Sequence, residues 1–423
     1  MASEKSKSPF IIREHVIPCS HIREDLTTTT SGQEQETWRM SVKQYIPVEN
    51  QDPKEGDVTI VGGCGNGFLK ELYEPFWEDL YHALSKSSIR IRSIWVPSVS
   101  NSGSNTHINP SLIHDPVSVF DHTRDILHLL NVFRSEILQP IIGIGHSIGA
   151  SQLAMVSVYH PTLFAGLVLM DPILVPDAET VSAGRLVRFA VRRTREWGSR
   201  REAERWCEGA WREWDARVRR RWNEFAIEAV DGQKPDGRVR LCWRREQELS
   251  MYVRFGYVFS SVREEEDEDV KIGKAMMEKG VGKGRMTEKG NGKGVIFVRG
   301  PPQIWRFMPM MSTRMLVLCG EKPGSSLPKM KEAWKERIGS DGFFLRRGME
   351  RKRVDVETVK GTGHLLPLEQ PGVCAERAAR WIGEELAGWK EREWKPTREW
   401  RALGNEERER RAGEWVEGLK GKL

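Results

Sequence analysis

No run of about 18 apolar residues occurs anywhere in the 423-residue chain, so no membrane-spanning helix is expected. The opening stretch, MASEKSKSPFIIREH, lacks the apolar centre of a signal peptide. Cysteine is sparse and scattered. Cys19, Cys64, Cys207, Cys242, Cys319 and Cys374 form no CxxC pair and no Cys/His ligand spacing, which predicts free thiols in a reducing compartment and no metal site. Neither sign of charge dominates. The 66 basic and 60 acidic residues leave a formal net charge of +6, which argues against nucleic-acid binding over the whole chain. Histidine is also scarce towards the end: beyond residue 160 there is only His364.

What is present is an alternation of strand and helix patterns. The stretches FIIREHVIPC and WRMSVKQYIPV read as strands, with the polar TTTTSGQEQE between them as an exposed loop. DVTIVGG, IRIRSIWVP, PIIGIG and FAGLVLMDPIL read as further strands. KELYEPFWEDLYHAL, PVSVFDHTRDILHLLNVF and GASQLAMVSVYH read as the helices between them. The pattern returns at STRMLVLCGE and DVETVKGTGH, followed by a helix in CAERAARWIGEEL. Such alternation predicts an α/β fold, a mostly parallel sheet with helices on both faces.

The character changes after Pro172. Residues 183 to 250, rich in Arg, Glu and Trp, read as helices of an inserted cap, and Ser199-x-x-Glu202 is a capping box. Trp211, Trp214, Val218, Trp222 and Phe225 fall on one helical stripe. Interleaved Arg and Trp would suit single-stranded nucleic acid. Glu196, Glu202, Glu204, Glu208 and Glu213 blunt that field, however, and an inner apolar face over a site is the preferred reading. The Gly/Lys-rich stretch 263–294 has no apolar period and reads as a disordered insertion. The expected division is core 1–172, cap 173–310, core 311–388 and a charged tail 389–423, a helix pair broken at Pro396.

The chemistry centres on Gly145-His146-Ser147-Ile148-Gly149, where a strand becomes a helix. A serine held on so tight a turn projects its hydroxyl above the sheet edge. Side chains two residues before and after it would collide with the neighbouring backbone, and glycine removes them. A helix that starts there also aims its first N–H groups at the hydroxyl. This turn requires an acid and then a histidine later in the chain. His364, in the Gly-rich loop VKGTGHLLPLEQP, is the candidate base. Asp171 is the favoured acid and Glu321 the alternative, each ending a predicted strand. Backbone N–H groups of Ile148 and of Asn66, with Gly65 and Gly67 next, are the candidate oxyanion donors. The glycines at 62 to 67 fit neither G-x-G-x-x-G nor a P-loop, because Phe68 stands where the last glycine or the lysine belongs.

With these parts in order, the chain resembles the α/β-hydrolase superfamily. Within it, the chain looks like a fungal branch of peroxisomal lipase-like and toxin-pathway hydrolases. The resemblance lies in HVIPCSHIRE, VKQYIPVEN, GNGFLKELYEPFW, FDHTRDILHLL, GIGHSIGA and GTGHLLPLEQP, covering residues 10–175 and 312–385. It implies a serine hydrolase of esters or thioesters without cofactor. An acyltransferase with the same triad, or a non-catalytic binding protein on this scaffold, are the alternatives. One departure is that Cys64 and Gly65 stand where such proteins often carry His-Ala before Asn-Gly-Phe. The resemblance also implies a peroxisomal setting, with the cytoplasm as the alternative. Gly421-Lys422-Leu423 is near the tripeptide read by the import receptor.

Overall fold

The structure is a computed structural model. It describes residues 8–24, 38–103, 105–109, 117–176, 183–230, 232, 237–255, 295–297, 300–322, 328–341 and 354–420. The Gly/Lys-rich stretch 263–294 and Gly421-Lys422-Leu423 lie outside the described residues.

Eight strands form the main sheet: β1 (Phe10–Pro18), β2 (Arg39–Pro47), β3 (Val58–Gly63), β4 (Ile91–Pro97), β5 (Ile141–His146), β6 (Gly166–Met170), β7 (Met315–Gly320) and β8 (Val354–Val359). Their spatial order is β1-β2-β4-β3-β5-β6-β7-β8. β2 pairs antiparallel with both β1 and β4, and every other pairing is parallel. Strands buried on both faces carry unbroken apolar runs, and β3, β5, β6 and β7 are buried throughout.

Successive residues of these strands serve opposite cores, as the period of two requires. Ile60, Ile142, Ile144, Val168, Met170, Leu316 and Leu318 join the core with the helices Glu74–Lys86 and Pro371–Trp389. Val61, Ile141, Leu167, Leu169, Met315 and Val317 join the other, with the helices Val119–Val132 and Ile148–Tyr159. Ser118 opens the former of these, accepting from the Phe120 N–H while Asp121 accepts from the Ser118 N–H at 2.9 Å.

β6 and β7 are neighbours in the sheet although the chain makes a long excursion between them. Part of that excursion is helical as expected: Ala183–Arg192, Arg200–Ala210 and Ala216–Phe225. Ser199 accepts from the Glu202 N–H, and Glu202 in return takes the Gly198 N–H. Reading the whole of 183–250 as helices missed three short strands, Glu196–Trp197, Ile227–Ala229 and Val239–Leu241, which pair antiparallel. Two or three residues are too few for a period of two to show. The tryptophan stripe also spans a break, because Trp211 and Trp214 lie in the turn between two helices. Trp211, Trp214, Val218 and Trp222 are nonetheless buried, in the same core as the helix Glu74–Lys86.

The tail divides at Leu403-Gly404, not at Pro396. Pro396 instead lies inside continuous helix: a π-helical stretch, Lys390–Trp394, joins Pro371–Trp389 to Lys395–Ala402, and the widened turn just before the proline accommodates its missing N–H. All six cysteines are free. No helix among the described residues is long and apolar enough to cross a membrane.

Candidate active site

β5 delivers Ser147 directly into the N-terminus of Ile148–Tyr159. Its φ of 56° and ψ of −124° lie in a region a side chain rarely tolerates. Neighbouring backbone holds it there: the Ser147 N–H donates to the Met170 carbonyl at 2.9 Å. The flanking glycines meet the predicted steric demand. A Cβ on Gly145 would stand 2.6 Å from Ala150 Cα, and one on Gly149 only 2.4 Å from the Gly63 carbonyl carbon. Both obstacles are backbone, so neither yields by a rotamer change. Gly149→Ala is therefore expected to destabilise the fold by about 1–3 kcal/mol or more, read as a lower denaturant midpoint at unchanged slope. A midpoint equal to wild type would show that the Gly63–Gly149 contact is looser than described.

The loop after β8 carries His364 to this turn. His364 Nε2 lies 2.9 Å from Ser147 Oγ, and His364 Nδ1 lies 2.5 Å from Asp171 Oδ2. With a carboxylate at Nδ1, the ring proton belongs there, which leaves Nε2 to accept from the serine hydroxyl. Asp171 is 2% exposed and follows β6 at a φ of 44°, its N–H donating to the Leu318 carbonyl at 2.7 Å. Ser147 and Asp171 are buried, and the His364 side chain is 24% exposed, so the imidazole is the part open to solvent. Of the two carboxylates weighed from sequence, Asp171 touches the imidazole. The Glu321 carboxylate accepts instead from the Gly361 N–H at 2.8 Å, and the Glu321 and Lys322 N–H groups donate to the Thr362 carbonyl. Glu321 thus ties the histidine loop to the end of β7.

Ile148 is the first residue of its helix, where N–H groups have no partner within the helix. The Asn66 side chain donates to the Glu248 carbonyl at 2.9 Å, which fastens the glycine loop to the inserted segment. Gly65 is less suited to an oxyanion than expected, since its N–H donates to Tyr73 Oη at 2.9 Å. Burial and Glu71 push the Cys64 thiol far above its ordinary range, so it offers no competing thiolate at neutral pH.

Sequence reasoning passed over two residues, Tyr73 and His146. The Tyr73 hydroxyl donates to His146 Nδ1 at 2.8 Å, and His146 Nε2–H donates to the backbone carbonyl of His364, also at 2.8 Å. The glycine loop, the serine strand and the histidine loop are thereby joined in one hydrogen-bonded chain. His146 stands beside the serine in the motif, but no spacing rule points to Tyr73. Burial, then His364, pushes the His146 imidazole down to about 3. Burial and Arg23 push His122 likewise to about 3. Both rings stay neutral in the fold, whereas an unfolded histidine titrates near about 6.5. Between roughly pH 6.5 and pH 3 the unfolded chain therefore binds more protons. This contribution is complete above that window and is lost as pH falls through it. Thermal midpoints are expected to fall from about pH 7 to about pH 4, and less steeply in His122→Gln. Equal slopes would remove His122 from the account.

Among the described residues no group of three or more His, Cys, Asp or Glu side chains is arranged to hold a metal ion. What the site does hold is a hydroxyl, an imidazole and a carboxylate in series at a helix N-terminus.

A family model described as the alpha/beta hydrolase family matches residues 65–377. The type I acyl-CoA thioesterase mpaH' of Penicillium brevicompactum is 26% identical over 94% of this chain and 93% of its own length. The abhydrolase domain-containing protein AFT2-1 of Alternaria alternata is 29% identical over 67% of this chain and 99% of its own. Among solved structures, the peroxisomal alpha-beta-hydrolase Lpx1 of Saccharomyces cerevisiae superposes with a TM-score of 0.66 at 14% identity, covering 99% of both chains. A family match of that length, on a sheet whose second strand alone runs against the rest, leaves one assignment: the chain belongs to the alpha/beta hydrolase family.

Proposed function

We propose that this protein is a serine hydrolase of carboxylic esters or thioesters, with acyl-CoA thioesters as its substrate class and the segment between β6 and β7 as its cap. One geometric fact carries the reading: Ser147 Oγ, His364 Nε2, His364 Nδ1 and Asp171 Oδ2 follow one another within hydrogen-bond reach. The acyl-CoA class rests on the likeness to mpaH'.

In this mechanism Ser147 Oγ attacks the acyl carbon while its proton passes to His364 Nε2, and Asp171 stabilises the resulting imidazolium. The Ile148 and Asn66 N–H groups would receive the oxyanion, a stabilisation of about 3 kcal/mol per donor. As the carbon–sulfur or carbon–oxygen bond breaks, His364 returns the proton to the leaving thiolate or alkoxide. Water, deprotonated by His364, then releases the carboxylic acid and restores the serine.

A fluorophosphonate probe and a panel of acyl-CoA and oxygen-ester substrates test the proposal on purified protein. Expected are labelling and turnover in wild type, and neither in Ser147→Ala. An unlabelled wild type, or equal labelling of both, would overturn it. Adding an alcohol or amine acceptor separates hydrolysis from acyl transfer: free acid as the product supports the proposal, and acylated acceptor replaces it with a transferase.

A further inference from the structure

A cleft of about 420 Å³ opens on the inserted segment, where Ala183–Arg192 and the residues after it meet Arg200–Ala210. That volume lies within the roughly 300–1,000 Å³ of small-molecule sites. Its lining pairs three arginines, Arg188, Arg192 and Arg193, with three aromatic rings, Phe189, Trp206 and Trp211. Arg188, Arg192 and Phe189 are exposed. Phe189 and Trp206 each meet Trp211 edge-on, at 5.9 and 6.1 Å between ring centroids.

Arg193 differs from its neighbours because its side chain is 1% exposed. Its guanidinium lies 5.0 Å from the Trp243 ring, 5.6 Å from Trp211 and 5.7 Å from Phe189. Its Nη1 reaches Glu248 and the Gly67 carbonyl only at 3.4 Å, while Arg195 takes Glu248 at 2.5 Å. One carboxylate thus serves two guanidiniums, and Nε and Nη2 of Arg193 have no hydrogen-bond partner among the described residues. A buried cation left short of acceptors is costly unless an anion completes it. The same wall backs onto the glycine loop: Phe68 packs against Trp211 at 6.4 Å, and Arg193 faces Gly67. An occupant of the cleft therefore sits one layer of side chains from the loop that carries Asn66.

We infer that this cleft binds the phosphorylated adenosine end of coenzyme A in the thioester substrate. Guanidinium forks take phosphate oxygens in pairs, and indole and phenyl faces take the adenine ring. A purely lipidic ligand would leave three cations facing hydrocarbon. The inference rests on the thioester reading above, and its test separates the two.

Adenosine 3′,5′-bisphosphate is titrated into Ser147→Ala protein, followed by calorimetry. It is expected to bind, and to bind about tenfold or more weakly in Ser147→Ala carrying Arg188→Gln and Arg192→Gln, both exposed positions. In active enzyme the two arginine substitutions are expected to raise KM for acyl-CoA by a similar factor with kcat little changed. KM for the matching acyl-N-acetylcysteamine thioester, which has no phosphate, is expected to stay put. No binding of the bisphosphate, or the same KM change for both thioesters, overturns the cleft assignment while leaving the thioesterase reading intact. Binding without turnover of either thioester in wild type overturns the thioesterase reading and keeps an anion site. Tighter binding of a single-stranded oligonucleotide than of the bisphosphate, lost in the double arginine variant, replaces coenzyme A with nucleic acid.

Discussion

Ser147→Ala is expected to lower kcat by about 10⁶-fold against any ester or thioester the enzyme turns over. The proposed nucleophile is one oxygen atom, 2.9 Å from the imidazole that would take its proton. No nearby group replaces it: burial keeps the Cys64 thiol protonated. His364→Gln should cost nearly as much. The double variant should cost no more than either single one, because residues that act as a unit are not additive. Alanine keeps the backbone at 147 and removes only the hydroxyl, so the thermal midpoint should stay close to wild type. Residual activity within about a hundredfold of wild type, from well-folded protein, would mean that the serine is not the nucleophile.

The second large effect is expected at Asp171. Asp171→Asn should lower kcat by about 10⁴-fold with a modest change in KM. An amide beside His364 Nδ1 favours the opposite tautomer and offers no charge to the imidazolium. Glu321→Gln, by contrast, should change kcat by less than about tenfold. Its carboxylate accepts one backbone N–H from Gly361, and a side-chain amide oxygen can accept the same bond. The pair of variants decides between the two acids by steady-state kinetics. A severe loss in Glu321→Gln with a mild one in Asp171→Asn would reverse their roles.

The parts of this molecule legible from sequence are those dictated by local sterics and strong periodicity. The glycines at 145 and 149 exist because the backbone at Ala150 and Gly63 leaves no room for a Cβ, and that demand shows in five residues. The strands showed because burial on two faces makes an apolar run. His364 stood out because no other histidine follows residue 160. The choice between Asp171 and Glu321 was not decidable in one dimension, since both end strands that lie side by side. The Tyr73–His146 link escaped because it depends on three loops meeting in space. Pro396 misled because a proline reads as a break unless the π-helical turn that precedes it, Lys390–Trp394, is known.

The strand order has a consequence for biosynthesis. β1 to β6 make a contiguous set, and β7 and β8 are then added one after the other at the β6 edge. A ribosome releasing the chain from its N-terminus therefore exposes six pairable strands, with residues 147 and 171 in place, long before position 364 emerges. Translation stalled in the intervening stretch would yield a product bearing the hydroxyl and the acid but lacking the imidazole of residue 364. It would be chemically silent, with an open backbone edge at β6 ready to recruit other chains.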